Sequence, residues 1–196
     1  MKKIILKSAL LLFVSAAVIS CVSDDDTDNL GPNYLQENFF EGYLINSGFN
    51  QKVTSDIDLG DYEFGLEFKP LVAGYITSLR VQLPEANPLL RITIWDKVAG
   101  TKIKTVILNV AASNTVYNVD IEDLVLVKDK EYAITMNSND WYNREKTDGS
   151  EATYPITVGN IQINTYIWND GSAQDYPTRT SKSYYSGDLS FNFLQR

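Results

Sequence analysis

Histidine is absent from this sequence, and cysteine occurs once. Without imidazole there is no Ser–His–Asp or Cys–His constellation and no histidine metal ligand, which removes many common enzyme designs. A single Cys forms no intrachain disulfide. Basic residues are scarce as well: 17 Lys and Arg face 25 Asp and Glu, a formal charge of −8. That balance argues against non-specific nucleic-acid binding, which depends on Lys and Arg to displace phosphate counterions, so no nucleic-acid partner is expected. Long apolar runs are missing. The run from Ala9 through Ile19, broken by Ser15, is shorter than the roughly 20 residues a bilayer-spanning helix needs. No nucleophile elbow, phosphate loop, zinc-ligand spacing or dinucleotide fingerprint occurs. An enzyme built from what remains would rely on paired carboxylates or on a Lys or Tyr base. Among 25 acids some pair is inevitable, so the existence of pairs says nothing.

What is present begins with an address. Lys2, Lys3 and Lys7 precede the short apolar run, the layout of a secretory signal peptide. Val18-Ile19-Ser20-Cys21 closes it and resembles a bacterial lipobox: a small residue before Cys, with branched aliphatics upstream. The resemblance implies cleavage before Cys21, lipidation of its sulfur, and a protein held at a membrane without a transmembrane helix. Each buried lipid CH₂ contributes about 0.8 kcal/mol, so stable anchoring takes more than one chain. Loss of residues 1–20 removes Lys2, Lys3 and Lys7 and no acid, leaving 14 basic and 25 acidic side chains, a formal −11. Ser23-Asp24-Asp25-Asp26 resembles the acidic export signal of surface lipoproteins in Bacteroidota; a solvated acidic tether reads the same way. Val22, rather than Asp, after Cys21 favours outer-membrane delivery under enterobacterial rules. The expected layout is a removed signal peptide over 1–20, an acidic flexible tether over 21–36 carrying lipidated Cys21, and a β-sandwich domain over 37–196. The expected location is the outer membrane, facing the exterior.

The remainder shows no sustained 3.6-residue apolar period. Period-two alternation recurs instead, the strand signal. Tyr62, Phe64, Leu66 and Phe68 alternate with Glu63, Gly65 and Glu67. The same pattern marks Leu79–Leu83, Leu90–Ile94, Tyr117–Ile121, Tyr132–Met136, Ile161–Ile167 and Leu189–Phe193, with weaker candidates near 43–46, 52–57, 103–110 and 153–158. Asn87-Pro88, Ala99-Gly100-Thr101, Lys128-Asp129-Lys130 and Ser186-Gly187-Asp188 read as turns. Strands with one apolar and one wet face suit antiparallel sheets packed face to face. The expectation is an all-β antiparallel β-sandwich or jelly roll of eight to eleven strands.

Four segments carry a second resemblance. They are Tyr62-Glu63-Phe64-Gly65-Leu66-Glu67-Phe68, Ala73-Gly74-Tyr75-Ile76-Thr77-Ser78-Leu79-Arg80, Ile92-Thr93-Ile94-Trp95-Asp96 and Leu126-Val127-Lys128-Asp129-Lys130-Glu131-Tyr132. In this order they resemble a bacterial β-sandwich family of unknown function found in cell-surface and carbohydrate-active proteins. The resemblance runs from about Tyr62 to Phe193, about two-thirds of the chain. Its motifs are structural and imply a fold; they do not license an activity. The stretch from Asn137 to Glu151 is more polar and longer than that pattern and reads as a loop.

The candidate site is aromatic. If Leu90, Ile92 and Ile94 point inward, Trp95 points out; if Ile161, Ile163 and Ile167 point inward, Tyr166 and Trp168 point out. Trp141 and Tyr142 lie in the polar stretch. Flat aromatic faces stack on the C–H side of a pyranose ring, and Asn139, Asp140, Asn143, Arg144, Asn169 and Asp170 are available to bond its hydroxyls. The competing reading is that these rings are buried, since large aromatics bury most of their area. Asp56, Asp58, Asp61 and Glu67 superficially resemble an EF-hand loop, but Gly60 and Asp61 occupy the wrong positions and a strand follows. A structural calcium in a sandwich loop remains the one cofactor alternative; no catalytic residue, metal ligand or other cofactor is assigned. The expected function is a lipid-anchored surface protein with a non-catalytic binding role, glycan recognition or adhesion. The alternatives are a structural subunit docking a larger surface complex and, less favoured, a glycoside hydrolase.

Overall fold

The computed structural model describes residues 34–196. The signal peptide, the lipobox with Cys21 and the acidic run fall outside the described residues. From Tyr34 onward the chain forms one compact unit of twelve strands and one helix: β1 (Glu37–Asn38), α1 (Phe40–Ser47), β2 (Lys52–Pro70), β3 (Gly74–Gln82), β4 (Asn87–Asp96), β5 (Thr101–Val110), β6 (Val116–Leu126), β7 (Tyr132–Glu145), β8 (Ile156–Val158), β9 (Ile161–Asp170), β10 (Arg179–Ser181), β11 (Tyr184–Ser186) and β12 (Asp188–Gln195). All pairings are antiparallel. A four-stranded sheet runs β1-β12-β3-β6, and an eight-stranded sheet runs β10-β9-β2-β7-β4-β5, with β11 joined to β7 and β8 to β9. This is the expected all-β sandwich. The strand number exceeds eleven because β1, β8, β10 and β11 are pieces of two or three residues.

The core lies between the layers and follows the alternation. Phe64, Leu66 and Phe68 of β2, Leu90, Ile92 and Ile94 of β4, and Ile134 and Met136 of β7 meet Leu79 and Val81 of β3 and Leu189, Phe191 and Phe193 of β12, all buried. Each fully buried side chain of this size contributes roughly 1.5–3 kcal/mol relative to exposure.

Three expectations are corrected. The 43–46 segment is helix, not strand. Phe40, Tyr43, Leu44 and Ser47 are its buried residues, spaced as one helical face, and Gly48 ends it at φ 79° in the left-handed region. Its apolar face rests on Tyr185, whose ring lies 5.3 Å from that of Tyr43 and 6.1 Å from that of Phe40. Second, the polar stretch from Asn137 is not a loop: β7 continues to Glu145, paired with Lys52–Ile57 of β2 on one side and with β11 on the other. Only Lys146–Ser150 turns, with Gly149 N–H donating to the Lys146 carbonyl at 3.1 Å. Third, Asn87-Pro88 opens β4 rather than forming a turn.

Irregularities in register decide where the large side chains point. On β9, Glu67 pairs with Thr165 while Phe68 pairs with Ile163, so Asn164 is an extra residue. A bulge of this kind reverses the facing of the residues beyond it. Tyr166 therefore joins Ile161 and Ile163 in the main core, and Ile167 turns to the opposite face. On β2, Asp58–Asp61 loop out between Ile57 and Tyr62.

Candidate functional site

The outward-facing side of the larger sheet is covered where sugar-stacking rings were expected. Trp95 does have the opposite parity to Ile92 and Ile94, but it is buried rather than exposed. The segment after β9 folds back over it and sets Tyr176 edge-on, with ring centroids 5.7 Å apart. Ala133 and Ile167 complete this small cluster. The Trp95 indole N–H donates to Thr135 Oγ1 at 2.8 Å, and the Thr135 hydroxyl donates to Glu63. Glu63 is 1 % exposed and pairs with Arg91 at 2.8 Å; burial pushes its carboxyl above the ordinary range. The Tyr176 hydroxyl donates to Glu67 Oε1 at 2.8 Å, and Lys97 holds the other oxygen at 3.0 Å. Asn169 belongs to this cover. Its Oδ1 accepts from the Thr178 N–H at 3.1 Å, and its amide donates to the Tyr176 carbonyl at 3.4 Å. Trp95 and Asn169 are thus structural.

The accessible aromatics lie on the other side, where the inner face of the larger sheet carries on beside the core. A cleft of about 330 Å³ opens there between β2, β7, β9 and β11. Its walls are Tyr62 and Phe64 of β2, Trp141 of β7, Tyr166 and Trp168 of β9 and Tyr184 of β11; Asp56, Asn143, Glu145 and Ser186 supply polar groups. The parity reversal at Asn164 brings Tyr166 and Trp168 to this side. The rings brace one another edge-to-face: Trp141 lies 5.2 Å from Tyr62 and 5.6 Å from Phe64, and Tyr166 lies 5.6 Å from Tyr184. Such pairs contribute about 0.5–1.5 kcal/mol beyond burial and hold ring orientations fixed. Tyr166 is the cleft's floor, 2 % exposed, and burial drives its phenol well above its ordinary value. Trp141, Trp168, Tyr62 and Tyr184 are only partly buried against the core.

The polar groups are organised from the same strands. Asn143 Nδ2 donates to Glu145 Oε1 at 2.9 Å, and Ser186 Oγ donates to Asn143 Oδ1 at 3.1 Å. Lys52 lies 2.7 Å from the other Glu145 oxygen and holds that carboxyl below its ordinary value. At the rim, Arg179 sits 4.7 Å over the Trp168 ring and pairs with Asp170 at 2.6 Å. The Tyr62 hydroxyl donates to Asp58 at 2.8 Å. The Trp168 indole N–H is buried and meets no acceptor.

Of the residues expected from sequence, Trp141, Asn143, Tyr166 and Trp168 line this cleft, and Asp170 reaches its rim through Arg179. The others do not line it. Tyr142 alternates to the far side of β7 and donates to Asn114. Asn139 donates to the Asp58 carbonyl at 3.2 Å. Asp140 is buried, accepting from Ser138 Oγ and the Glu85 N–H, each at 2.8 Å. Arg144 is spent on buried Asp188, with both contacts at 2.6 Å. Asp56, Tyr62, Phe64, Glu145, Tyr184 and Ser186 were not singled out as ligand-binding from sequence. The pairing of Asp56 with Trp141 across β2 and β7 was the hidden link, since nothing local in either segment announces it.

Among the described residues, no three His, Cys, Asp or Glu side chains converge on a point that would hold a metal ion, and no helix is long and apolar enough to cross a membrane. No protein-family model matches the sequence, and no curated protein matches it either.

Proposed function

We propose that this chain is a lipid-anchored outer-membrane surface protein whose sandwich domain binds glycans without catalysis. The observation that carries the binding role is the cleft of about 330 Å³, in which rigidly braced rings alternate with hydrogen-bonding side chains. A cleft of that size is at the lower end of ordinary ligand pockets, which run from about 300 to 1,000 Å³. Stacking faces with convergent polar groups are what a sugar ring requires. Of the two lining carboxylates, Glu145 is already committed to Lys52 at 2.7 Å, whereas a glycosidase acid must hold a proton to give to the leaving group. The anchor rests on the sequence from Lys2 to Cys21.

A glycan array probed with the full chain in detergent micelles tests the binding role. Signal should fall at least tenfold for Trp141→Ala and Trp168→Ala; binding that survives both disposes of the cleft. The anchor is tested by fractionation: Cys21→Ala should leave the membrane pellet, and an unchanged distribution removes lipidation.

A second reading, an accessory subunit docking a larger surface complex, draws on another observation. Beyond the β9 pairing, Lys52–Ile57 of β2 is paired on one edge only among the described residues. Val53, Ile57 and Leu59 are exposed there, Leu59 fully. Exposed apolar side chains on an open strand edge suit a protein partner. Leu59→Asp together with Ile57→Lys should abolish such a complex on a native gel and leave glycan binding intact.

A further inference from the structure

The cleft has a charge as well as a shape. Resting on its reading as a binding site, we propose that its occupant presents an organic ammonium group, as on a de-N-acetylated amino sugar or a simple alkylammonium ion.

The first support is the lining itself. Six aromatic side chains and two carboxylates face the cleft, and no Lys or Arg is among the lining residues. Aromatic faces carry the negative lobe of the ring quadrupole and attract cations, and enclosure by several rings is the usual mode of ammonium recognition. The second is Asp56. It lines the cleft beside Trp141, its cross-strand neighbour, and among the described residues its side chain has no ion-pair partner within reach, unlike Glu145, which Lys52 holds at 2.7 Å. A carboxylate left free among π faces is a counter-ion without its ion. The third is that the Trp168 ring, whose other side borders the cleft, already holds a cation: the Arg179 guanidinium lies 4.7 Å over it. Around the mouth, Asp56, Asp58, Asp170 and Glu145 stand against Lys52 and Arg179, an excess of negative charge. The chain's formal −8 adds a long-range field of the same sign. A neutral sugar could bond Asp56 through a hydroxyl but would leave its charge uncompensated, and an anion would meet it as repulsion.

Isothermal titration of the full chain in detergent micelles, at pH 5.5, tests this with three probes: a fully acetylated chito-oligosaccharide hexamer, its fully deacetylated counterpart and tetramethylammonium chloride. The deacetylated hexamer should bind at least tenfold more tightly than the acetylated one, and Asp56→Asn should bring that ratio close to one with the thermal midpoint unmoved. Tighter binding of the acetylated hexamer, or equal binding of the two, overturns the ammonium and leaves glycan recognition standing. Binding of tetramethylammonium alone, sensitive to Asp56→Asn, supports the ammonium and removes the glycan. Silence from all three overturns the proposal.

Discussion

Two tryptophans on one sheet meet opposite fates. Trp95 of β4 and Trp168 of β9 belong to the same eight-stranded layer, yet one is sealed and the other borders a cleft. Trp95 is closed over by Tyr176, and its N–H is passed through Thr135 to Glu63. Trp168 is bordered by Arg179 on one side and the cleft on the other, and its N–H finds no acceptor. The covered ring belongs to a buried hydrogen-bond chain that runs through Thr135 and Glu63 to Arg91, where the Arg91 Nε is itself left without a partner. The open ring is held by packing and by the Arg179 guanidinium over its face, with no buried hydrogen-bond chain behind it. The difference is made by the bulge at Asn164, which turns Trp168 to the inner face, and by the segment carrying Tyr176, which closes over Trp95 on the outer face.

The comparison breaks first at its stable end. Trp95→Ala should cost about 3–5 kcal/mol and lower the urea midpoint sharply. Trp141→Ala, half-buried at the cleft, should cost on the order of 1–2 kcal/mol. Equal losses would mean that the cleft is merely core. Tyr176→Phe keeps the lid's ring and removes its donation to Glu67; a loss of about 1 kcal/mol in the same titration is expected. The next effect is a slope rather than a loss. Burial holds the Glu63 carboxyl above its ordinary 4.5, so the native state binds that proton more tightly than the unfolded chain does. Its contribution is therefore fully present below about pH 4.5 and is lost as pH rises through the raised value. Urea midpoints measured across that range should show a smaller decline in Glu63→Gln than in the parent; parallel curves would refute the buried carboxyl's role. The smallest effect belongs to Trp168→Phe. It deletes a donor that bonds no protein group and trims a ring only partly buried against the core, so stability should change by about 1 kcal/mol or less, while glycan binding weakens through the smaller stacking face. A large stability loss would show that the indole is structural after all.

Much of the architecture is legible in the sequence because a sandwich writes itself as alternation. Leu90, Ile92 and Ile94, and equally Leu189, Phe191 and Phe193, lie inward as their spacing dictates. The helix is missed, with 43–46 reading as a strand: Phe40, Tyr43, Leu44 and Ser47 recur at helical spacing and Gly48 follows as a stop, but eight residues amid many strands carry little weight. Single-residue slips are what alternation cannot see. Asn164 is one extra residue on β9, and it exchanges Tyr166 and Trp168 with Ile167. The site suffers most from this. Trp141 and Trp168 were identifiable as wide polar-flanked rings, whereas Tyr62, Phe64 and Tyr184 join them only through pairings between β2, β9, β7 and β11. Polarity misled at Asn137–Glu145, because a strand whose faces meet a cleft and a buried ion pair needs no apolar stripe.

Gly187 has a mechanical consequence. At φ 90° it lets the chain step from β11, in the larger sheet, to β12, in the smaller, across a single residue, and a Cβ there would collide with Phe64 and Met136. Tyr184 and Ser186, which wall the cleft, are thus coupled rigidly to the opposite layer through a hinge with no slack. A side chain added at this one position would therefore displace a cleft wall, Phe64, and the junction between the two sheets together.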